Sequence, residues 1–240
     1  MFAPVLLYTL EHVGVHDAVR VPLVTGTSLF CILLSVAASA WAQARRKAVV
    51  WRVALITGFV ATGALYATKE LVTTQPWYTP RAFEVFFAGV LVLAALRMLF
   101  AGEDEPADTP HAEVLRLGAI GTAAGILSAA GGVGGGIVLV PAYNRLVRLP
   151  LRTASGTSNA TIVLSSLAGV VVFVLSPPPG GPLPPVTVGN VSLGYGLMLA
   201  LPAMVGAALG VMAAHRLPVR TLRRVFAVVV LALALKLAWG

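Results

Sequence analysis

Cysteine and charged residues are scarce in this chain. Its 240 residues include one cysteine, Cys31, and 11% charged residues against 58% hydrophobic ones, and the mean hydropathy is +0.90. One cysteine excludes an intrachain disulfide and a cysteine metal site. So little charge excludes an ordinary soluble domain. The composition predicts an all-α, polytopic membrane protein whose surroundings are the lipid bilayer.

Recognisable catalytic motifs are also missing. The apolar segments contain no HExxH, no GxSxG and no paired carboxylates, so we predict no enzyme activity, no metal and no cofactor. The formal charge is +8, which could indicate nucleic-acid binding. Basic residues are not interleaved with aromatic ones on a polar face, however, and cytoplasmic loops of membrane proteins are equally basic. No nucleic-acid partner is therefore predicted.

The apolar runs predict six membrane spans and a division into two halves. The polar, acidic stretch 102–112 reads as a linker. It separates a first membrane repeat, residues 1–101, from a second, residues 113–240. The predicted spans are residues 21–41, 49–71, 81–100, 155–175, 191–214 and 221–239.

A glycine cluster interrupts the longest apolar segment. Residues 131–136 contain five glycines, and residues 114–149 as one helix would be about 54 Å long, against a hydrocarbon core of about 30 Å. We predict two apolar arms joined by a break that lines a cavity, the usual place for a transported solute. The alternative is that glycines here only allow close helix packing, as Gly118, Gly121 and Gly125 could do.

The two halves share a sequence pattern. Residues 24–40 align with residues 154–170, with Gly-Thr-Ser in register. This favours a duplicated unit, although chance similarity among apolar helices is the alternative. The arm formed by residues 114–132 has no counterpart before the first Gly-Thr-Ser, so the first repeat is expected to be incomplete at its N-terminus.

The distribution of lysine and arginine predicts how the chain crosses the membrane. If residues 114–149 form a re-entrant hairpin, thirteen of these residues lie inside and four outside. If the segment crosses instead, seven lie inside and ten outside. Positive residues concentrate on the cytoplasmic side. We therefore predict the re-entrant hairpin, which makes the two repeats inverted relative to one another.

The Gly-Thr-Ser segments read as helix starts. Thr, Ser and Asn are good N-cap residues, and a plain cap is one interpretation. A helix N-terminus that points into a cavity is also an anion site, because its N–H groups are free and its partial charge is positive. The residues predicted to bind a solute are Thr27, Ser28, Gly132, Gly134, Gly135, Gly136, Thr157, Ser158 and Asn159.

The run GILSAAGGVGGGIVLVPAYNRLVRLPLRTASGTSNATIVLSSLAGVV resembles the sulfite exporter TauE/SafE family of membrane permeases. The resemblance is specific over residues 118–170 and weaker over 21–100. It implies export or uptake of small sulfur-containing anions, such as sulfite or organosulfonates. We predict a secondary transporter that works by alternating access in a bacterial-type inner membrane, with a homodimer as a candidate assembly. The alternatives are a passive anion channel and a membrane-embedded assembly factor without a solute site.

Overall fold

A computed structural model of the chain describes residues 2–12, 17–68, 89, 92, 113–131, 136–177 and 183–239. The helices with assigned bounds in these ranges are α1 Phe2–His12, α2 Asp17–Ala44, α3 Trp51–Thr68, α4 Val114–Gly131, α5 Gly136–Arg145, α6 Leu151–Leu175, α7 Leu193–Arg216 and α8 Val219–Trp239. Two short strands, β1 Thr187–Val188 and β2 Val191–Ser192, pair antiparallel ahead of α7.

Three of the described helices are long and apolar enough to cross a membrane: Pro22–Ala44, Leu151–Leu175 and Leu193–Arg216. They confirm the predicted class, an all-α polytopic membrane protein. The two strands were not predicted. They follow a proline-rich connection that cannot be helical, because proline lacks the N–H that a helix needs. Of the predicted span 81–100, the structure describes residues 89 and 92, which are both helical.

Helices α2 and α6 form an antiparallel pair. Near the end of α2 and the start of α6, Asn159 Nδ2 donates a hydrogen bond of 2.7 Å to Ser39 Oγ. Farther along the pair, Leu29 Cδ1 would lie 3.0 Å from a Cβ added to Gly169. The ten residues from Asn159 to Gly169 correspond to about 15 Å of helix rise. α3 packs against α4 and α6, and α7 packs against α2.

Helices α4 and α5 form a hairpin. Arg116, in the first turn of α4, donates from Nη1 to the carbonyl oxygen of Leu146, just after α5, at 3.0 Å. Leu117 of α4 and Tyr143 of α5 belong to one buried apolar cluster. The chain therefore returns to the end at which α4 began. A re-entrant segment requires this geometry, and its depth in a bilayer stays a prediction.

Glycines in α4 lie against α3. A Cβ added to Gly121 would lie 2.8 Å from the carbonyl oxygen of Thr57, and one added to Gly125 would collide with the carbonyl oxygen of Ala61. Gly118 has nothing within 4 Å of the equivalent position. Close helix packing is thus the structural role of two of the three spaced glycines.

Several connections meet at one end of the bundle. Arg152 Nη2, at the start of α6, donates to the carbonyl oxygen of Leu217, just after α7, at 2.7 Å. The backbone N–H of Val50, just before α3, donates to Thr157 in α6. We call this the basic end. Among the described residues, its loops and helix termini include Arg45, Arg46, Lys47, Arg52, Arg116, Arg145, Arg148, Arg152, Arg216, Arg220 and Arg224.

The opposite end holds the start of α2 and the connection from α6 to α7, which contains β1 and β2. Asn190, between the two strands, donates its backbone N–H to the carbonyl oxygen of Phe173 at 2.8 Å. The basic residues thus group as the re-entrant arrangement predicts. Which end faces the cytoplasm stays a prediction.

Candidate functional site

The Gly-Thr-Ser segments lie inside helices rather than at their starts. Thr27 is in the third turn of α2, which begins at Asp17. Thr157 is in the second turn of α6, which begins at Leu151 after a Pro150 N-cap that makes no side-chain capping bond. The prediction that these segments open their helices is therefore wrong. Backbone N–H groups in a helix interior bond to the preceding turn, so the donors left here are side chains.

The two threonine hydroxyls accept hydrogen bonds from residues at the beginnings of two other helices. Thr157 Oγ1 accepts the backbone N–H of Val50, immediately before α3, at 3.0 Å. Thr27 Oγ1 accepts the backbone N–H of Ser192, immediately before α7, also at 3.0 Å. Both threonines are fully buried. Each therefore supplies a partner to a backbone donor at the start of a helix in the other half of the chain.

The glycine before each threonine makes a matching contact. A Cβ added to Gly156 would collide with the carbonyl oxygen of Ala48, and one added to Gly26 would collide with that of Asn190. In both cases the carbonyl belongs to the connection that leads into α3 or α7. Backbone can approach this closely because glycine has no side chain.

The two connections also share a backbone conformation. Lys47 and Gly189 both adopt left-handed conformations, with φ of 56° and 55°. The next residue in each connection donates its backbone N–H to the preceding helix. Ala48 donates to Gln43 O at 3.0 Å, and Asn190 donates to Phe173 O at 2.8 Å. Equivalent positions thus make equivalent contacts in the two halves, with the partners exchanged.

The serines in the two segments have a different environment from the threonines. Ser28 and Ser158 are 8% and 1% exposed, and the Oγ atom of neither has a hydrogen-bond partner among the residues that the structure describes. Buried polar atoms without partners are uncommon and are candidates for ligand contact. These two hydroxyls are therefore the ones in the predicted set that make no hydrogen bond among the described residues.

The structure does not bring these two serines together. Leu29, next to Ser28, lies opposite Gly169, and the eleven residues from Ser158 to Gly169 correspond to about 16 Å of helix rise. A small anion cannot contact both at once. The predicted set therefore occupies two levels along the α2–α6 pair rather than one common site.

The glycine cluster lies mostly outside the described residues. Gly132, Gly134 and Gly135 are not described, and Gly136 is the first residue of α5. α4 ends at Gly131. Because α4 and α5 fold back on one another, the segment is not one continuous rod. Contact between the cluster and a solute stays a prediction.

A cavity of about 210 Å³ lies at the basic end between α2, α5, α6, α7 and α8. It combines one predicted residue, Asn159, with polar residues that were not predicted. The polar part of its lining is Ser39, Gln43, Arg152, Ser155, Asn159 and His215. Because these side chains come from three helices far apart in sequence, no local motif contains them. The available signal was the presence of Gln43 and Ser39 near the end of an apolar span.

Two nitrogen atoms of the cavity lining lack partners. Arg152 Nε and His215 Nε2 are buried, and neither has a hydrogen-bond partner within the described part of the chain. Arg152 is nevertheless held in place by its bond to Leu217 O. Arginine is always charged and matches the geometry of oxyanions. The cavity therefore offers a fixed positive charge with an unused buried donor.

A polar cavity between apolar helices is typical of membrane transport proteins. The chain matches the family described as Sulfite exporter TauE/SafE over residues 1–237, and it belongs to that family. The protein is a membrane transporter for a small solute, as the resemblance implied, and its family is not one of enzymes.

Curated relatives are similar over nearly the whole chain. The "Probable membrane transporter protein" of Haemophilus influenzae is 26% identical over 245 residues, covering 99% of this chain and 88% of the relative. The "Probable membrane transporter protein YunE" of Bacillus subtilis is 24% identical over 257 residues, covering 100% and 89%. A relative from Methanocaldococcus jannaschii, also named a probable membrane transporter, is 23% identical and covers 93% and 80%. No solved structure gives a significant match to this chain.

Proposed function

We propose that this protein is a secondary transporter of small sulfur-containing anions, such as sulfite or organosulfonates, in a bacterial-type inner membrane. The family description names sulfite. The observation that carries the proposal is the cavity at the basic end, where Arg152 supplies positive charge inside a bundle of apolar helices. An anion enclosed in the cavity needs such a partner, because an unpaired buried charge is very costly.

We further propose that transport proceeds by alternating access between two inverted repeats. The exchanged contacts of Thr157 with Val50 and of Thr27 with Ser192 support this proposal. So does the antiparallel course of α2 and α6, since inverted repeats cross the membrane in opposite directions. In this mechanism the cavity belongs to the state that opens at the basic end. The opposite end would open by the equivalent movement of the other repeat.

The hydroxyls of Ser28 and Ser158 would contact the anion in turn as it moves along the α2–α6 pair. Both are buried and without a partner among the described residues, which supports this role. The glycine cluster would add backbone N–H groups near Gly132–Gly136. Charge-assisted hydrogen bonds are worth about 1.5–3 kcal/mol each, so a few donors suffice for moderate affinity.

Flux measurements in proteoliposomes test this function. We expect radiolabelled sulfite or taurine to accumulate against its concentration gradient when a proton or sodium gradient is imposed, and not in liposomes without protein. Dissipation of a solute gradient without accumulation would indicate a passive anion channel. No flux and no solute-dependent stabilisation would favour an assembly factor. We also propose that the protein is a homodimer, which light scattering on the same purified sample tests.

A further inference from the structure

We propose that the cavity at the basic end binds an organic anion, with Arg152 and Asn159 at its charged head and the apolar wall against its carbon chain. This inference rests on the proposed function and deepens it, because it assigns the binding residues and favours anions that carry carbon. It differs from the site predicted from sequence, which used glycine N–H groups and helix ends.

The head-group side of the cavity contains donors with different roles. Arg152 Nε is buried and has no partner among the described residues, while its Nη2 is anchored on Leu217 O at 2.7 Å. The guanidinium is therefore already oriented before a ligand arrives. Asn159 donates one N–H to Ser39 Oγ at 2.7 Å. His215 adds a further buried nitrogen without a partner in the described ranges. All three side chains line the cavity, and their nitrogen atoms can donate hydrogen bonds to an oxyanion.

The opposite wall of the cavity is apolar. Leu151 and Val140 are buried together, and Leu222 and Phe226 pack against them. All four side chains line the cavity. A volume of about 210 Å³ corresponds to roughly seven water molecules at about 30 Å³ each. An inorganic oxyanion would leave much of that space and the whole apolar wall uncovered. A sulfonate or similar anion with two to four carbons would cover both.

The opposite end of the bundle lacks the polar pair. In the Gly-Thr-Ser register, positions 130 residues apart are equivalent, so Asn159 corresponds to Leu29 and Ser39 to Gly169. Leu29 lies directly against Gly169, 3.0 Å from where a Cβ would be. A leucine and a glycine in contact offer no side-chain donor. The head group is therefore held at the basic end, and the two halves of the protein are not interchangeable in binding.

Isothermal titration calorimetry of the purified protein in detergent tests the ligand class. The probes are sulfite, methanesulfonate, propanesulfonate and uncharged propanol. We expect affinity to rise by about fourfold for each methylene group buried against the apolar wall, and we expect propanol not to bind measurably. Sulfite binding as tightly as propanesulfonate would overturn the assignment of the carbon chain.

Variants test the residues. Arg152→Gln should weaken propanesulfonate binding at least about tenfold, because it removes a charge-assisted contact. Arg148→Gln, an exposed arginine at the same end that does not line the cavity, should change it less than about twofold. Phe226→Ala should reduce the preference for propanesulfonate over sulfite while leaving sulfite affinity unchanged. Thermal unfolding of each variant verifies that it is folded.

Asn159→Leu is the second test of the head-group site, and it places at the basic end the residue found at the equivalent position of α2. We expect about tenfold weaker binding of every anion. Unchanged binding in both Arg152→Gln and Asn159→Leu, with normal flux in proteoliposomes, would overturn the site and leave the proposed function intact. Binding that depends on these residues without any flux would support the site and contradict transport.

Discussion

Thr157 in α6 accepts the backbone N–H of Val50 at 3.0 Å, across 107 positions of sequence. The same bond recurs at the opposite end of the bundle, where Thr27 accepts from Ser192 at 3.0 Å. These bonds connect α6 to the beginning of α3 and α2 to the beginning of α7. Each bond joins the two halves of the chain. The glycine and threonine of each Gly-Thr-Ser segment therefore make structural contacts, whereas the serine hydroxyls are buried without a partner among the described residues.

The first prediction concerns the threonines. Thr157→Val keeps the side-chain shape but leaves the N–H of Val50 without its partner, so we expect a loss of about 1–3 kcal/mol in the free energy of unfolding. Thr62→Val is the matched control, because Thr62 Oγ1 only donates to Gly58 O within its own helix. It should cost less than about 0.5 kcal/mol. If both variants lose the same stability in thermal unfolding, the hydrogen bond between Val50 and Thr157 makes no special contribution to stability.

The second prediction concerns the serines. Ser158→Ala removes a hydroxyl that has no partner within the described residues, so stability should change by less than about 0.5 kcal/mol. If the hydroxyl contacts the anion, affinity should fall roughly tenfold to a hundredfold at most. Calorimetry and thermal unfolding on one preparation measure both. A large loss of stability with unchanged affinity would make Ser158 a structural residue.

The third prediction concerns glycine at the helix crossing. Gly156→Ala should destabilise the protein by about 1–3 kcal/mol, because the added methyl group meets the Ala48 carbonyl. Gly63→Ala, where nothing lies within 4 Å, should be neutral or stabilise its helix by up to about 1 kcal/mol. Thermal unfolding of the two variants gives the comparison. Similar losses at both positions would mean that the close approach is not specific to Gly156.

The fourth prediction concerns sidedness. In a Cys31→Ala background, cysteines introduced at Arg46 and Arg148 should be labelled from the cytoplasmic side by a membrane-impermeant reagent. A cysteine at Val186, in the connection from α6 to α7, should be labelled from the other side. The reason is that the basic residues gather at one end, which the positive-inside tendency assigns to the cytoplasm. If the cysteines that replace Arg46 and Arg148 were labelled from different sides, the hairpin would be contradicted.

The fifth prediction concerns the glycine cluster, which was identified from sequence. Gly135→Leu should abolish transport while the protein still folds, because a bulky side chain would block the approach of the solute to the backbone. Val133→Leu, two positions away, should have a much milder effect on flux. Equal losses from both substitutions would indicate crowding of the break rather than a requirement for bare backbone.

The class of the protein and the expectation of a break near residues 131–136 both follow from composition and local pattern. Apolar composition cannot be accommodated outside a membrane, and five glycines in residues 131–136 disfavour a continuous helix. In the structure, α4 and α5 on either side of this stretch fold back on one another as a hairpin. The register between the two Gly-Thr-Ser segments also came from sequence, and equivalent contacts at both ends are consistent with it.

The start of α6 and the contacts of its polar residues depend on tertiary packing. Capping preferences placed the helix start at Gly-Thr-Ser, whereas the helix begins at Leu151, directly after Pro150. The first N–H groups of a helix have no partner within the helix, and such groups are costly where they are buried. A helix that began at the buried Thr157 would leave them in the protein interior. The partner of Thr157 is Val50, and the cavity joins Ser39, Arg152 and His215. These contacts depend on packing between helices that are distant in sequence, and local sequence patterns do not encode that packing.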